Sequence, residues 1–317
     1  MRLLSGTGVL RNNKKKMLVA VMALLLTLPV SACEICGCSI NGYNFGILPQ
    51  FRKNIVGLRH TYRSFHSQHL ISEQLFILGH QSQERYHTTE LWGRFYVGKK
   101  LQLFAFVPYN HFRTEEAGVV THSQGLGDIT LAANYKLYDN VANGGPGFKH
   151  TFLAGGGIKL PTGKFSTAKM GQQLNPSINS GTGSVDYLAN LIYNCRINKW
   201  GLNAEFNYRI NGKNADDFQF GNRYTTAARF FYWQNIGKKT TVLPNAGLLF
   251  EEAGQDRHNG EVQTYSGGHI TYLTTGAEMY MGKINVGFTY SHPLGQHLFK
   301  GLVTNNNQFA VNMSFLF

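Results

Sequence analysis

The sequence predicts an all-β protein: a transmembrane antiparallel β-barrel of about twelve strands, with both chain ends on the periplasmic side. Three observations predict it. The last nine residues, Phe309-Ala-Val-Asn-Met-Ser-Phe-Leu-Phe317, carry an apolar side chain at every second position and end on phenylalanine. Such alternation gives one strand face to an apolar phase and the other to something else. Segments of roughly ten alternating residues recur from Asn54 onward, separated by Gly, Asn, Asp and Lys clusters, as expected of strands tilted across an outer membrane. The links between them alternate short and long, the arrangement of barrels with tight periplasmic turns and long outer loops.

The first element is a leader. Lys14-Lys15-Lys16, the apolar run from Met17 to Val30 and then Ser31-Ala32-Cys33 form a basic region, a short apolar core and a small-residue cleavage site, so residues 1–32 are expected to be a secretory signal peptide. The core is shorter than the roughly 20 residues of a spanning helix. Five cations, Arg2, Arg11, Lys14, Lys15 and Lys16, lie in this leader, which has no acidic residue, so the formal charge of +13 becomes +8 in the remainder. Those remaining cations are scattered singly without interleaved aromatic platforms, which argues against a nucleic-acid partner. They suit pairing with the lipid and lipopolysaccharide of a Gram-negative outer membrane, where the protein is expected to reside.

Residues 33–53 come next, a cysteine-containing segment expected in the periplasm or as a plug in the lumen. Cys33, Cys36 and Cys38 are close enough to converge on one soft ion, Cu(I) or Zn(II). Val30-Ser-Ala-Cys33 also fits a lipoprotein box that would make Cys33 a lipid anchor. The remaining thiols could join in a disulfide, with each other or with Cys195. These alternatives stay open, and no cofactor is established by the sequence.

Residues 54–317 supply the twelve expected strands, near Asn54–Phe65, Tyr86–Val97, Leu101–Phe112, Gly127–Tyr138, His150–Leu160, Val185–Ile197, Gly201–Ile210, Tyr224–Ile236, Thr240–Phe250, Ile270–Tyr280, Lys283–Ser291 and Gln308–Phe317. The clearest is the seventh: Leu202, Ala204, Phe206, Tyr208 and Ile210 share one face, while Asn203, Glu205, Asn207 and Arg209 share the other. Long polar loops are expected near 66–85, 113–126, 161–184, 211–223, 251–269 and 292–307. With 36 Gly, 43% hydrophobic, 13% aromatic and only 15% charged residues, a mean hydropathy of −0.22 excludes a membrane-spanning helical bundle. It does not count against a barrel, where lipid-facing and lumen-facing residues cancel in any average. A terminal strand ending flush on an aromatic is the signal that barrel assembly machinery reads, which makes that machinery an expected partner.

Two passages, Gly125-Leu-Gly-Asp-Ile-Thr-Leu-Ala-Ala-Asn-Tyr-Lys-Leu137 and Gly155-Gly-Gly-Ile-Lys-Leu-Pro-Thr-Gly-Lys164, resemble the outer-membrane barrel family of transporters of the MetA pathway of phenol degradation. Val107-Pro108-Tyr109 and Tyr290-Ser-His-Pro-Leu294 agree with it. The resemblance covers most of Leu101–Phe317 and implies a barrel that takes up aromatic or other apolar molecules. The segment Cys33–Phe51 resembles a Bacteroidetes-type subgroup with an N-terminal Cys-x-x-Cys-x-Cys.

The inward face of the strands places Arg59, Arg63, Glu90, Arg94, Asp128, Lys136, Glu205 and Arg209 in the lumen, as candidates for solute contact or as members of a paired network. Cys195 falls on the lipid face among Tyr187, Ala189, Leu191 and Tyr193, where it is a small apolar residue. Ser291 and His292 are adjacent in a strand, point to opposite faces and so cannot form a nucleophile–base pair. There is no Gly-x-Ser-x-Gly elbow, His-Glu-x-x-His or phosphate loop, so no enzyme is expected. The expected function is an outer-membrane channel for a small apolar or aromatic solute. The alternatives are a metal-handling protein using the cysteine segment, or a closed adhesion or scaffolding barrel.

Overall fold

A computed structural model of the protein describes residues 53–72, 77–140, 147–166 and 178–317, with the short pieces 168–169 and 172–173. Twelve staves form one closed antiparallel wall. They are β1 (Ile55–Ser72), β2 (Ile77–Val97), β3 (Leu101–Glu116), β4 (Val119–Leu126 continuing as Ile129–Asp139), β5 (Phe148–Leu160) and β6 (Asp186–Ile197). The wall continues through β7 (Trp200–Ile210), β8 (Arg223–Tyr232, then Gln234–Ile236), β9 (Thr240–Ala253), β10 (Gly268–Met281), β11 (Ile284–Leu298) and β12 (Gln308–Leu316). β12 pairs with both β11 and β1, Ile55 opposite Leu316 and Tyr62 opposite Phe309, which closes the ring. Asn54 and Phe317 exchange both backbone hydrogen bonds at 3.0 Å, so the start of the wall and its end lie side by side on the short-turn rim. Closure removes the unpaired edge that an open sheet would expose.

Alternation sorts the side chains as expected. Leu58, Leu91, Tyr187, Phe230, Leu248 and Val311 lie on the outside and are exposed, an apolar belt suited to lipid. The tight links at the short-turn rim each hold a left-handed residue: Gly98, Asn198, Gly237 and Gly282, with φ of 65°, 52°, 65° and 61°.

Several strands run further than the periodicity predicts. β1 and β2 continue through most of the expected loop at 66–85, pairing up to Ser72 opposite Ile77. The expected loop at 113–126 is a hairpin: β3 reaches Glu116, and Ala117 and Gly118 (φ 48° and 81°) turn the chain into β4. Two successive positive φ values match the right-handed twist of the flanking strands. β11 likewise extends to Leu298. These extensions rise beyond the apolar belt, where no lipid imposes period-two alternation, and the pattern that marks a strand is lost there. In the other direction, the expected strand Tyr224–Ile236 is interrupted at Trp233, whose N–H donates to Lys199 O at 2.6 Å.

The Gly125-Leu-Gly-Asp passage is a β-bulge. Register passes from Tyr109 opposite Leu126 to Phe106 opposite Thr130, so β4 has one residue more than β3 between these pairs. This extra residue lets Leu126 and Leu131 both face outward, although they are an odd number apart, and turns Asp128 inward. A side chain at Gly127 would lie 2.8 Å from Asn110 Nδ2 and 2.9 Å from Pro108 Cγ. Only glycine fits. The Tyr290–Leu294 passage is a second bulge, with Gly295 opposite Thr271 but Pro293 opposite Tyr272, a position where proline's missing N–H is tolerated.

Candidate solute pathway

The inward-facing positions are arranged in tiers. Toward the short-turn rim, Ile55, Trp92, Phe104, Phe106, Leu153, Ile192, Phe231, Leu243, Tyr280 and Leu316 belong to one buried apolar cluster. Phe104 and Phe106 stack with ring centroids 6.2 Å apart and planes 6° from parallel. Two residues further along the same inward faces, toward the long loops, the chemistry changes: Trp92 gives way to Glu90, Phe231 to Arg229 and Tyr280 to Glu278. In this charged tier Arg59 Nη1 lies 3.4 Å from Glu90 Oε1, and Arg229 Nη1 lies 3.7 Å from Glu205 Oε1. The Glu278 Oε2 accepts from Asn285 (2.8 Å) and Asn312 (3.4 Å). Burying an ion is costly unless it is paired or hydrogen-bonded, and the cross-strand register supplies the partners. The Arg59 guanidinium also sits 5.5 Å from the Trp92 ring centroid and joins the charged tier to the apolar one. Nearer the long loops, Tyr86 packs edge to face on Phe112 and at a tilt against Phe65, and its hydroxyl donates to Glu84 Oε2 at 2.5 Å.

The eight lumen residues read from sequence have different surroundings. Arg59 with Glu90, and Glu205 with Arg229, lie in the charged tier. Arg63 faces inward on β1, and Arg209 on β7 lies opposite Arg223. Arg94, with no exposed surface, stands on the short-turn side of the apolar cluster, over the Tyr96 ring at 5.2 Å, and donates to Lys53 O at 3.3 Å. Lys136 pairs locally with Asp139 at 2.7 Å. Cys33, Cys36 and Cys38 lie outside the described residues; among those residues, no group of three or more His, Cys, Asp and Glu is placed to hold a metal. Cys195 is a half-buried free thiol opposite His150 and Leu202. Ser291 is buried on the inner face, while His292 is exposed and shares a 2.8 Å hydrogen bond with Asn307 Oδ1.

Asp128 is the anchor of a long loop. Its Oδ2 accepts from Lys159 Nζ, from Thr182 N–H and from the Thr182 hydroxyl, each at 2.8 Å, and its Oδ1 accepts from Gly163 N–H at 2.9 Å. Lys159 also pairs with Asp186 at 2.7 Å, and its ammonium donates to Thr182 Oγ1. The Pro161-Thr-Gly passage completes the join: the Thr162 hydroxyl donates to Gly127 O and accepts from Ile129 N–H, both at 2.9 Å. Side chains at Gly163 and Gly181 would each come within 2.6 Å of the other's Cα. The sequence places Asp128 in the lumen but does not show Lys159 as its partner or Asp186 as the second carboxylate on Lys159. Counting inward from Leu160 gives Lys159 the correct face, but the sequence does not reveal that two carboxylates meet it. The apolar cluster was missed for a related reason: Trp92, Phe104 and Phe106 face inward where a wet lumen predicts polar residues.

The stitched loop folds inward, since Asn110, an inward residue of β3, donates to Ser180 O at 2.9 Å. Its Phe165 meets Phe218 and Phe220 of the next long loop at 6.0 and 6.1 Å, and Asn214 Nδ2 donates to Thr182 O at 2.9 Å. That second loop pairs with a third, Phe218–Gln219 against Arg257–His258, and Gly221 N–H donates to Asp256 Oδ1 at 2.7 Å. Burial pushes the Asp256 carboxyl up to about 6, against the opposing pull of the Gly221 N–H and of Arg223. Three long loops thus form one layer beyond the wall.

No curated protein matches the chain in sequence. Among solved structures, an outer membrane channel from Pseudomonas putida F1 is similar, with a TM-score of 0.62 and 15% identity over 88% of this chain and 100% of that one. The β domain of the Bordetella autotransporter BrkA has a TM-score of 0.49 and 12% identity over 84% of this chain and 99% of that one. The first likeness confirms the fold, that of an outer-membrane channel barrel. The sequence profile described as "Putative MetA-pathway of phenol degradation" matches residues 80–297, which contain the bulge, the loop anchor and most of the lumen tiers, and this chain belongs to that family.

Proposed function

We propose that the barrel is a passive outer-membrane channel for small apolar solutes, with the short-turn rim and both ends of the wall in the periplasm and the stitched loops outside. The observation that carries it is the apolar tier, in which Trp92, Phe104, Phe106, Phe231 and Leu243 line inward positions that a water-filled porin would give to polar residues. A benzene-sized solute burying on the order of 100 Å² of apolar surface gains about 2–3 kcal/mol. That favours entry without preventing release. The family's description names phenol degradation, so aromatic solutes are the first class to test. The aromatic end of β12 supports delivery by the barrel assembly machinery. Flux into proteoliposomes tests the proposal: a neutral aromatic should enter faster than a charged analogue of equal size. A folded barrel that passes neither would refute it. For the cysteine segment, mass spectrometry of the mature N-terminus separates a lipid on Cys33 from thiols that capture a soft ion.

A further inference from the structure

On the outer face of β1–β4, arginine and histidine side chains occupy directly opposed cross-strand positions. Register places Arg85 opposite Arg113 and Arg113 opposite His122; one row nearer the membrane, His87 is opposite His111. His60 adjoins them, with its Nε2 3.3 Å from His87 Nδ1. Like charges in opposed positions destabilise a sheet, and little within the protein offsets the Arg85–Arg113 pair. Arg85 is exposed and has no acidic partner among the described residues. Arg113 meets only Glu115, at 3.3 Å with both side chains over a third exposed, and its buried Nε has no hydrogen-bond partner. The outward faces of β7–β9, across the wall, carry no arginine or lysine; near their long-loop ends stand Tyr208, Tyr224, Phe250 and Glu252. The opposed arginines therefore have no counterpart in that sector.

Its height on the wall identifies what it meets. Toward the short turns the same faces carry Leu58, Leu91 and Tyr109, exposed and apolar or aromatic. Tyrosine marks the boundary between hydrocarbon and headgroups, and the arginine row lies just beyond it, at headgroup level. We infer that Arg85 and Arg113, with His87, His111 and His122 beside them, form a site for the phosphate of the anionic glycolipid in the outer leaflet. Guanidinium groups bind phosphate through paired, charge-assisted hydrogen bonds, and opposed strand positions, with Cβ atoms about 5 Å apart, allow two of them to flank one phosphate. The orientation rests on the proposed function; the site does not require the channel to conduct.

The test uses the full chain, folded in detergent, with bisphosphorylated lipid A as probe and native mass spectrometry as readout. The wild type should hold this lipid about tenfold or more tightly than the same lipid stripped of phosphate. R85Q/R113Q should bind both forms alike, while K238Q/K239Q at the short-turn rim should bind as the wild type does. Since Arg85 has no acidic partner among the described residues, R85Q alone provides a variant that breaks no ion pair of the wall. Equal binding of the dephosphorylated lipid, or undiminished binding by R85Q/R113Q, would overturn the inference. Competition by inorganic phosphate at equimolar concentration would also overturn it, by showing a site for the free anion. Flux measured in vesicles without lipid A is a separate readout, so failure of the channel proposal and failure of this site are distinguishable.

Discussion

Replacing Asp128 by alanine should release the long loop from the wall. The carboxylate accepts four hydrogen bonds, three of them from the loop at Gly163 N–H, Thr182 N–H and the Thr182 hydroxyl, and the fourth from Lys159. Hydrogen bonds to a buried charge are worth about 1.5–3 kcal/mol each, but they share one acceptor and do not add. Lys159 keeps Asp186 at 2.7 Å, so its charge is not abandoned. The expected cost of the variant is therefore about 3 kcal/mol, below the sum of the bonds and near the low end for breaking a buried pair. Since 1.4 kcal/mol is tenfold, amide exchange at Gly163 and Thr182 should accelerate by roughly 100-fold, while amides in β9 and β10 stay protected. Hydrogen exchange of the folded protein in micelles, read by mass spectrometry, measures this directly. Asp128→Asn, which retains an acceptor but no charge, should fall between. Unchanged protection at both amides in Asp128→Ala would refute the assignment of Asp128 as the anchor.

Asp256 sets a pH dependence. Its folded value of about 6 lies above the ordinary 3.8, so the ordered loop prefers the protonated acid. The stability it contributes is full below pH 3.8, declines toward about 6 and is absent above, about 3 kcal/mol at most. Protease nicking of 254–267 should increase from pH 4 to pH 7, and Asp256→Asn should flatten that profile. Gly155→Val should prevent folding or cost about 3 kcal/mol or more, because its Cβ would fall 2.1 Å from Asn134 Oδ1 and 2.3 Å from Ala133 O; heat-modified gel mobility detects this. Gly98→Ala meets nothing within 4 Å but requires φ of 65°, and should cost only about 1 kcal/mol. Phe104→Ala should speed flux of solutes bulkier than benzene while lowering resistance to urea by about 3 kcal/mol. Unchanged flux in a folded variant would remove the apolar tier from the pathway.

The wall was legible because its outer face is apolar across the membrane belt. Leu202 to Ile210 shows it in nine residues, and the same parity assigned Arg59, Glu90, Glu205 and Arg209 to the inside. Legibility failed where that contrast disappears: His66 to His69 is polar on both faces, so a strand pair resembles a loop. At the bulge, one extra residue at Gly127–Asp128 reverses the parity without any change in composition, so Asp128 was placed inside but the arm Val119–Leu126 before it resembled a loop. The inner tiers were harder still. Whether Lys136 meets a solute or Asp139, and whether Phe106 touches water or Leu153, depends on which strands face each other, and the sequence of a single strand does not record its neighbours.

The paired hydrogen bonds between Asn54 and Phe317 join the first residues of the wall to the last of the chain. The ring therefore cannot close until β12 has been made. Every partial product has two open edges, β1 and whichever strand was made last, each able to recruit a foreign strand. Two requirements follow. Those edges need cover during transit, and closure of β12 on β1 must be a late step of assembly, slow because the segments that meet are the most distant in the wall.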